Sequence, residues 1–482
     1  MLFNSLEFIL FLPVVFLLYW FACPTRRWQN MLVVVASYVF YGWWDWRFLL
    51  LIAFTTLCSY ASGLLIERHE GRRKIQQYVS AANIVLNLGV LGVFKYYNFF
   101  ADSMAALLRA VGYEVDWVTL NVVLPVGISF YTFQALSYSI DVYQKKLPAT
   151  HDIVEFFAFI SFFPQLVAGP IERATNLLPQ FQNHRTFDYA KAVDGCRQML
   201  WGFMKKLVIA DTCAEVVNDN WASFATLPGW QLFVLGVFFT FQIYCDFSGY
   251  SDIAIGCARL FGINLMRNFA FPYFSRSIPE FWRRWHISLT TWFRDYIYFP
   301  MGGSRCSKSK IIRNVYVVWG VSGLWHGANW TFVCWGLYHG TLLAIYNILG
   351  IKTKHEHEVA HGRVLPSWRE LLQVLLTFFL AVVGWIIFRA ETMSQAVSYL
   401  WHMLSSPLSG ANEIAIDNGL LWGCLALMVA EWAQRTKQHA LQFTPGGLVS
   451  RYALLRYAIY LIIFVLIVRF TGTIQTFIYF QF

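Results

Sequence analysis

Long apolar segments without charge set the first constraint on how this chain can fold. The stretch from Val315 to Gly350 contains no Lys, Arg, Asp or Glu, and similar apolar runs recur along the sequence. Only 13% of the 482 residues are charged, whereas a soluble domain carries roughly 25%. A run of about 20 apolar residues is enough to cross a bilayer as a helix. The sequence therefore predicts a helical, polytopic membrane protein.

The apolar runs give twelve candidate membrane spans, of which we expect ten to twelve to cross. Because they follow one another along the whole chain, we predict one integral-membrane domain over residues 1–482. The candidates are residues 5–22, 29–44, 47–66, 78–99, 121–143, 203–218, 229–260, 312–327, 329–350, 370–389, 418–433 and 452–472.

The basic residues lie mostly in short loops between these runs. The net charge of +10 could indicate a nucleic-acid partner, but loops such as 26–27, 72–74 and 145–146 alternate with acidic ones such as 101–120 and 411–417. This alternation follows the positive-inside rule. It predicts no nucleic-acid partner, basic loops in the cytoplasm, and both termini on the extracytoplasmic side.

One apolar segment, residues 155–169, is too short and too interrupted to read as an ordinary span. It contains Pro164 and ends at Gly169-Pro170. Non-helical backbone persists at membrane depth only where protein or a water-filled cavity satisfies its polar groups. We therefore expect a re-entrant segment here, close to a functional site.

His326 is the strongest candidate for chemistry, because a titratable ring at membrane depth is costly unless it serves a site. The structural alternative is a core histidine bonded to a backbone carbonyl. Small neighbours, Gly323 and Gly327 among them, suggest a gap that a substrate could enter, with Trp325 as a wall and Asn329 as a polar group. A neutral imidazole there could take a proton from a hydroxyl.

Residues 281–299 carry a second pattern of aromatic and basic side chains. At helical spacing Trp282, Trp285, Leu289, Trp292 and Tyr296 form one stripe, which predicts an amphipathic helix at the cytoplasmic interface. In the structural interpretation the tryptophans and arginines only anchor this helix. In the functional one Arg283 and Arg284 bind an anionic acyl donor, and His286 points into a cavity.

Several other polar residues could line the same site. Ser322 lies one helical turn before His326, so a Ser/His nucleophile pair is conceivable, although no nucleophile-elbow motif surrounds it. Asp246 and Asp252 lie within one apolar run, where they could couple ions or, as we prefer, cap a helix break near Gly249. Gln134 is equally ambiguous. The nine cysteines are scattered without a C-x-x-C pair, and no metal site is predicted.

Taken together, these motifs resemble the membrane-bound O-acyltransferases, in particular a bacterial branch that acetylates polysaccharides such as alginate. The resemblance rests on runs that occur in the expected order across most of the chain, at residues 127–134, 164–173, 246–256, 281–286 and 323–327.

The resemblance implies an all-α membrane fold, with about ten to twelve transmembrane helices and re-entrant segments around a catalytic tunnel. It implies that His326 is the principal catalytic histidine and His286 the second one. His326 would act as general base toward a hydroxyl, while His286 orients or polarises the acyl carbonyl. Residues that would line the tunnel are Trp325, Asn329, Asp246, Ser322 and Gln134.

The implied reaction is O-acylation, by which an acetyl group passes from a cytoplasmic donor such as acetyl-CoA toward an extracytoplasmic polysaccharide. No tightly bound cofactor is expected. The expected location is the bacterial cytoplasmic membrane, with an extracytoplasmic esterase-like acetyltransferase or a polysaccharide-modification complex as partner. The alternative is a transporter or flippase of an acylated or lipid-linked carrier. Internal repeats would favour that alternative, but the sequence shows none.

Overall fold

The structure is a computed structural model, and it is helical throughout the part of the chain that it describes. The described residues are 1–114, 119–120, 123–167, 169–351, 357–410, 414, 418–470, 472 and 475–478. Every regular element in these ranges is a helix, which confirms the predicted all-α class. Most of the predicted acidic loop 411–417 lies outside the described residues.

The chain forms two compact units. The first comprises Met1–Gly195 and Cys257–Met266, and the second comprises Cys196–Gly256 and Arg267–Phe482. The prediction of one integral-membrane domain over residues 1–482 stays a prediction.

The longer helices begin and end close to the predicted spans. Up to residue 221 they are Leu6–Leu17, Arg26–Gly42, Arg47–Arg68, Arg73–Leu91, Tyr97–Ala110, Ile128–Tyr143, Tyr189–Phe203 and Asp211–Trp221. Beyond it they are Gly229–Leu260, Lys308–His326, Trp330–Ile348, Trp368–Arg389, Met393–Ser405, Asn418–Ala433 and Ala453–Phe470. Helix thus occupies most of the described part of the twelve candidate spans, whereas residues 123–127 at the start of the fifth are not helical.

Five helical segments in the described part of the chain are long and apolar enough to cross a bilayer: Arg47–Arg68, Arg73–Ala110, Gly229–Leu260, Trp368–Arg389 and Ala453–Phe470. Two more, Leu6–Ala22 and Asn418–Ala433, are apolar but shorter. The chain is therefore a multi-pass membrane protein, while the full count of ten to twelve crossings stays a prediction.

The segment predicted to be re-entrant forms two short helices, Ile153–Ser161 and Phe163–Leu166. At about 1.5 Å per residue, neither approaches the roughly 30 Å of a bilayer core. The interruption falls at Phe162, and Pro164 lies in the first turn of the second helix, where its missing N–H costs no hydrogen bond. Re-entry into the membrane itself stays a prediction.

The helix Gly229–Leu260 runs for 32 residues without interruption, so the predicted break near Gly249 is wrong. Gly249 serves helix contact instead. A Cβ placed on it would lie 2.8 Å from the carbonyl oxygen of Gly202. The glycine thus allows two helix backbones to approach closely, as small residues do in membrane proteins.

The predicted single amphipathic helix over 281–299 is also wrong. The chain forms Ile278–Arg284, then Ile287–Phe293 and the π-helical turn Arg294–Tyr298. At His286 the backbone turns left-handed, with φ 44° and ψ 53°, which ends the helical path. The stripe is therefore divided between two helices and a turn.

Candidate active site

His326 lies at the end of a tight helical hairpin in the second unit. The two arms, Lys308–His326 and Trp330–Ile348, approach closely because Gly323 and Gly336 face the opposite backbone. A Cβ on Gly323 would overlap the carbonyl oxygen of Phe332, and one on Gly336 would overlap that of Trp319. The hairpin therefore fixes the position of His326 through backbone packing.

The turn of this hairpin explains why the first helix stops at His326. Gly327 leaves the helix in an extended conformation. Asn329 then caps the next helix, since its side-chain oxygen accepts a hydrogen bond from the Thr331 N–H at 3.0 Å. Its amide nitrogen donates to the carbonyl oxygen of Glu391 at 2.9 Å. Asn329, predicted to line a tunnel, is thus used in helix capping, and its lining role stays a prediction.

Aromatic rings surround His326, which is 4% exposed. Ring centroids lie 5.0 Å away for Trp335, 5.1 Å for Trp325 and 5.5 Å for Phe388. Trp325 thus packs against the His326 ring, and its role in lining a tunnel stays a prediction. The expected gap at the small residues is wrong, because the Phe332 backbone fills the space at Gly323 and its ring fills the space at Gly327.

His286 is the second buried imidazole of this unit, and it occupies a strained position. It precedes the helix Ile287–Phe293 in the left-handed backbone region, which costs about 1–3 kcal/mol and tends to occur at functional sites. The neighbouring segment 268–270 holds this turn through backbone hydrogen bonds. The Ile287 N–H donates to the Asn268 carbonyl, and the Ala270 N–H donates to the Arg284 carbonyl, each at 2.9 Å.

The structure brings the two predicted catalytic histidines together. Their ring centroids are 6.4 Å apart at an interplanar angle of 61°, although 40 residues separate them in sequence. Trp325 lies against both rings, at 6.1 Å from His286. His286 lies outside the five long apolar segments, and burial lowers its pKa to about 3. It is therefore neutral at physiological pH and able to accept a hydrogen bond.

A groove of about 220 Å³ lies in the second unit, and neither His286 nor His326 is among the residues that line it. Its walls are aromatic and aliphatic, and its polar groups include Arg283, Thr290, Arg294 and Ser322. Ser322 is four residues before His326 on the same helix, which corresponds to about 6 Å along the axis. The groove thus reaches to within one helical turn of the principal histidine.

The two arginines predicted to bind the donor have different surroundings. Arg283 is exposed and lines the groove. Arg284 forms ion pairs with Glu280, at 2.9 Å, and with Glu358, and it also donates to the Ala270 carbonyl. Arg284 therefore holds three chain segments together, and Arg283 is the better candidate for an anionic ligand.

The two aspartates of the long helix are paired with buried lysines. Lys206 contacts Asp246 at 2.7 Å and Asp211 at 2.8 Å, and Lys205 contacts Asp252 at 2.6 Å. Asp246 also accepts the backbone N–H of Ile478 at 2.7 Å. These contacts bind the helix to its neighbours. A role of Asp246 in lining a tunnel stays a prediction.

Gln134 belongs to the first unit, where it is buried in the helix Ile128–Tyr143. Nearly the whole of this helix is buried, so its polar residues face protein. The assignment of Gln134 to the catalytic site stays a prediction.

Three features of the second unit were missed in the sequence. His339 is a third buried imidazole, whose Nδ1 accepts a hydrogen bond from Trp282 Nε1 at 3.3 Å. It lies in the same uncharged stretch as His326, so the same cost argument could have found it. Lys205 and Lys206 were overlooked as buried charges. Asn268 has no sequence signal, because its partners are 17 to 20 residues away.

Comparison with known proteins gives the class. The model of the membrane-bound O-acyltransferase family matches residues 35–383, and this chain belongs to that family. It is therefore an acyltransferase, as the resemblance implied.

Curated relatives support the same class. The chain is 44% identical to the probable alginate O-acetylase AlgI of Pseudomonas aeruginosa, over 85% of this chain and 75% of that protein. It is 32% identical to the peptidoglycan O-acetyltransferase of Helicobacter pylori, over 84% and 80% of the two chains. It is 28% identical to the teichoic acid D-alanyltransferase of Bacillus subtilis, over 56% and 70%.

Proposed function

We propose that this chain takes an acetyl group from acetyl-CoA on the cytoplasmic side and passes it across the membrane for O-acetylation of an extracytoplasmic polysaccharide. The observation that carries the proposal is the pair of buried imidazoles, His286 and His326, with ring centroids 6.4 Å apart. Acyl transfer to a hydroxyl needs a proton acceptor held beside the reacting carbonyl, and such a pair supplies it.

The reaction breaks the thioester bond of the donor and forms an ester bond to the acceptor hydroxyl. The hydroxyl oxygen attacks the thioester carbonyl, and His326 takes the hydroxyl proton. The C–S bond then breaks, and the departing thiolate receives that proton. His286 positions the reactants. General-base assistance contributes about 10²–10⁴-fold, and burial among tryptophans excludes water that would hydrolyse the thioester.

The groove beside the site suits a donor with a phosphate-bearing head and a narrow arm. Arg283 and Arg294 provide positive charge. Trp282, Trp319 and Leu289 provide an apolar wall that leads toward Ser322. Coenzyme A combines phosphates with a thiol-terminated arm, so the arginines would bind the phosphates while the arm extends toward the histidines.

The named relatives indicate the class of acceptor. Their printed functions concern alginate, peptidoglycan and teichoic acid, all of which are polymers of the bacterial envelope. The two that share most sequence with this chain transfer acetyl groups. We therefore propose a hydroxyl-rich envelope polysaccharide as the final acceptor, and an extracytoplasmic esterase-like acetyltransferase as the partner that completes delivery. Both termini would face that side.

The transporter alternative depends on the aspartates, and their contacts weigh against it. An aspartate that couples transport exchanges a proton or cation during the cycle. Asp246 and Asp252 instead contact lysines at 2.7 and 2.6 Å, so their charges are already neutralised by fixed partners.

Replacement of His326 tests the proposal. In a strain that lacks its own copy, we expect His326→Ala to insert normally and to reduce base-labile acetyl esters on the secreted polymer by at least 100-fold, within the usual range for loss of a general base. His151→Ala is the control, because His151 is 75% exposed and pairs with Glu67. Acetylation at the wild-type level in the His326 variant would refute the proposal.

A further inference from the structure

We propose that Asn268 is a positioning residue that holds His286 in the tautomer with hydrogen on Nδ1, so that Nε2 can only accept a hydrogen bond from the reactants. The inference deepens the proposed acyl transfer and rests on it. It also decides between two roles for His286: the ring orients a reactant by accepting a hydrogen bond, and it does not polarise the acyl carbonyl by donating one.

The argument begins with the orientation of the Asn268 amide. Its Oδ1 lies 3.3 Å from the backbone nitrogen of Ser288. A backbone N–H can only donate, so the side-chain atom that faces it must be the oxygen. The amide nitrogen points the other way and donates to Ser251 Oγ at 3.2 Å. The backbone N–H of Ser288 therefore identifies which side-chain atom of Asn268 is the oxygen and which is the nitrogen.

The tautomer of His286 follows from this orientation. His286 Nδ1 lies 3.1 Å from Asn268 Oδ1, and an amide oxygen has no hydrogen to donate. Ser288 Oγ also lies 3.5 Å from Nδ1, but its single hydrogen is donated to Asn268 Oδ1 at 2.9 Å. Nδ1 must therefore carry the hydrogen. In a neutral imidazole the other nitrogen, Nε2, then holds the lone pair. Burial of this ring favours the neutral form.

Further hydrogen bonds hold the Asn268 side chain in this orientation. Its Oδ1 also accepts from Ser288 Oγ at 2.9 Å, and its own backbone carbonyl accepts from Ile287 N–H at 2.9 Å. The residue is fully buried. One side chain thus contacts His286 and the first turn of the helix that follows it.

Two substitutions at residue 268 separate positioning from general support of the fold. Asn268→Leu keeps the approximate volume and removes the acceptor, so both tautomers become available. Asn268→Asp keeps an acceptor for Nδ1 but adds negative charge, which raises the pKa of His286. A protonated His286 has hydrogen on both nitrogens and cannot accept.

The measurement is acetyl transfer by isolated membranes with acetyl-CoA as donor, followed as free thiol between pH 5 and 9. We expect Asn268→Leu to lower kcat by about 10–100-fold at every pH, the range known for metal-binding histidines that lose their orienting partner, with little change in KM for acetyl-CoA. We expect Asn268→Asp to be impaired at low pH and to recover as the pH rises.

Asn347→Leu is the matched control, because Asn347 is exposed and its side chain donates to the Leu343 carbonyl of its own helix. The inference fails if Asn268→Leu keeps the wild-type kcat. It also fails if Asn268→Asp, inserted at normal level, follows the wild-type pH profile. If His326→Ala abolishes transfer while both Asn268 variants behave as wild type, the proposed function stands and only this inference is lost.

Discussion

The imidazoles of His286 and His326 are neighbours, with ring centroids 6.4 Å apart and planes at 61°. This separation lies within the range of tilted aromatic contacts, which extends to about 7 Å between centroids. Different structural elements hold the two histidines in place. His326 ends a helix that packs through glycines against its partner, while His286 occupies a left-handed turn bonded to Asn268. Two independent elements thus converge on one site.

Neutralising Arg283 should weaken donor binding. Arg283 lines the groove, so we expect Arg283→Gln to raise KM for acetyl-CoA by about 10–100-fold, as loss of one hydrogen bond to a charged group implies. Arg284→Gln should instead lower the melting temperature, because it leaves the buried Glu280 with one ion-pair partner fewer. Equal KM values for Arg283→Gln and wild type would remove Arg283 from the donor site.

Removal of the Lys206 charge should destabilise the second unit strongly. Lys206→Met leaves Asp211 and Asp246 buried without their shared cation, and breaking a buried pair costs about 3–5 kcal/mol. The double variant Lys206→Met with Asp246→Asn should recover part of the loss. Lys191→Met, whose pair with Asp188 is exposed, should change the melting temperature little. Comparable melting temperatures for the Lys206 and Lys191 variants would contradict the ion-pair account.

A single methyl group at Gly336 should disrupt the hairpin that carries His326. The new Cβ would overlap the Trp319 carbonyl oxygen, so we expect Gly336→Ala to lower the melting temperature and the activity together. Gly320→Ala, on the opposite arm, is the matched control. No described atom lies within 4 Å of its Cβ, and alanine favours a helix over glycine by about 1 kcal/mol. The two alanines should therefore shift stability in opposite directions, as thermal unfolding in detergent would show.

The stability of the first unit should depend on pH through Glu172. Burial raises the pKa of this carboxyl to about 7, despite hydrogen bonds from Met266 N–H and Asn176. Because the folded pKa lies above the unfolded value, this group favours folding below pH 4.5 and loses that contribution as the pH rises toward 7.

Glu172→Gln imitates the protonated carboxyl and should remove this dependence. We expect the variant to melt above the wild type at pH 8 and close to it at pH 5, in scans of the purified protein. The upper bound is on the order of 3 kcal/mol. A variant that melts below the wild type at pH 8 would show that the ionised carboxylate is needed.

The sequence predicted the helical class and singled out His286 and His326 as the candidate catalytic pair, a role that stays a prediction. Apolar runs of bilayer length predicted helical spans, and helix occupies most of the described part of these runs, because hydropathy is a local property. His326 stood out for a similar reason, since an imidazole in an uncharged stretch is unusual by itself. Its pairing with His286 came from the family resemblance rather than from local pattern.

The errors have one physical origin, which is that contacts distant in sequence override local pattern. Aromatic spacing predicted one helix over 281–299, but bonds from Asn268 and Ala270 hold a left-handed residue in its middle. Gly249 does not break its helix. It allows the backbone of Gly202 to approach closely. Gly323 and Gly327 leave no gap for a substrate, because Phe332 fills the space beside both glycines. Glycine in a membrane helix permits close approach as readily as it permits bending.

The left-handed backbone at His286 has a practical consequence for anyone engineering this enzyme. Asparagine tolerates that conformation better than histidine does and leaves a smaller space in this buried site than glycine would, so variants that carry His286→Asn should relieve strain and resist heat but transfer no acetyl groups. A screen that ranks variants by thermostability alone would select them. The same dead variants would be useful as catalytically silent samples in which an intact thioester could be captured.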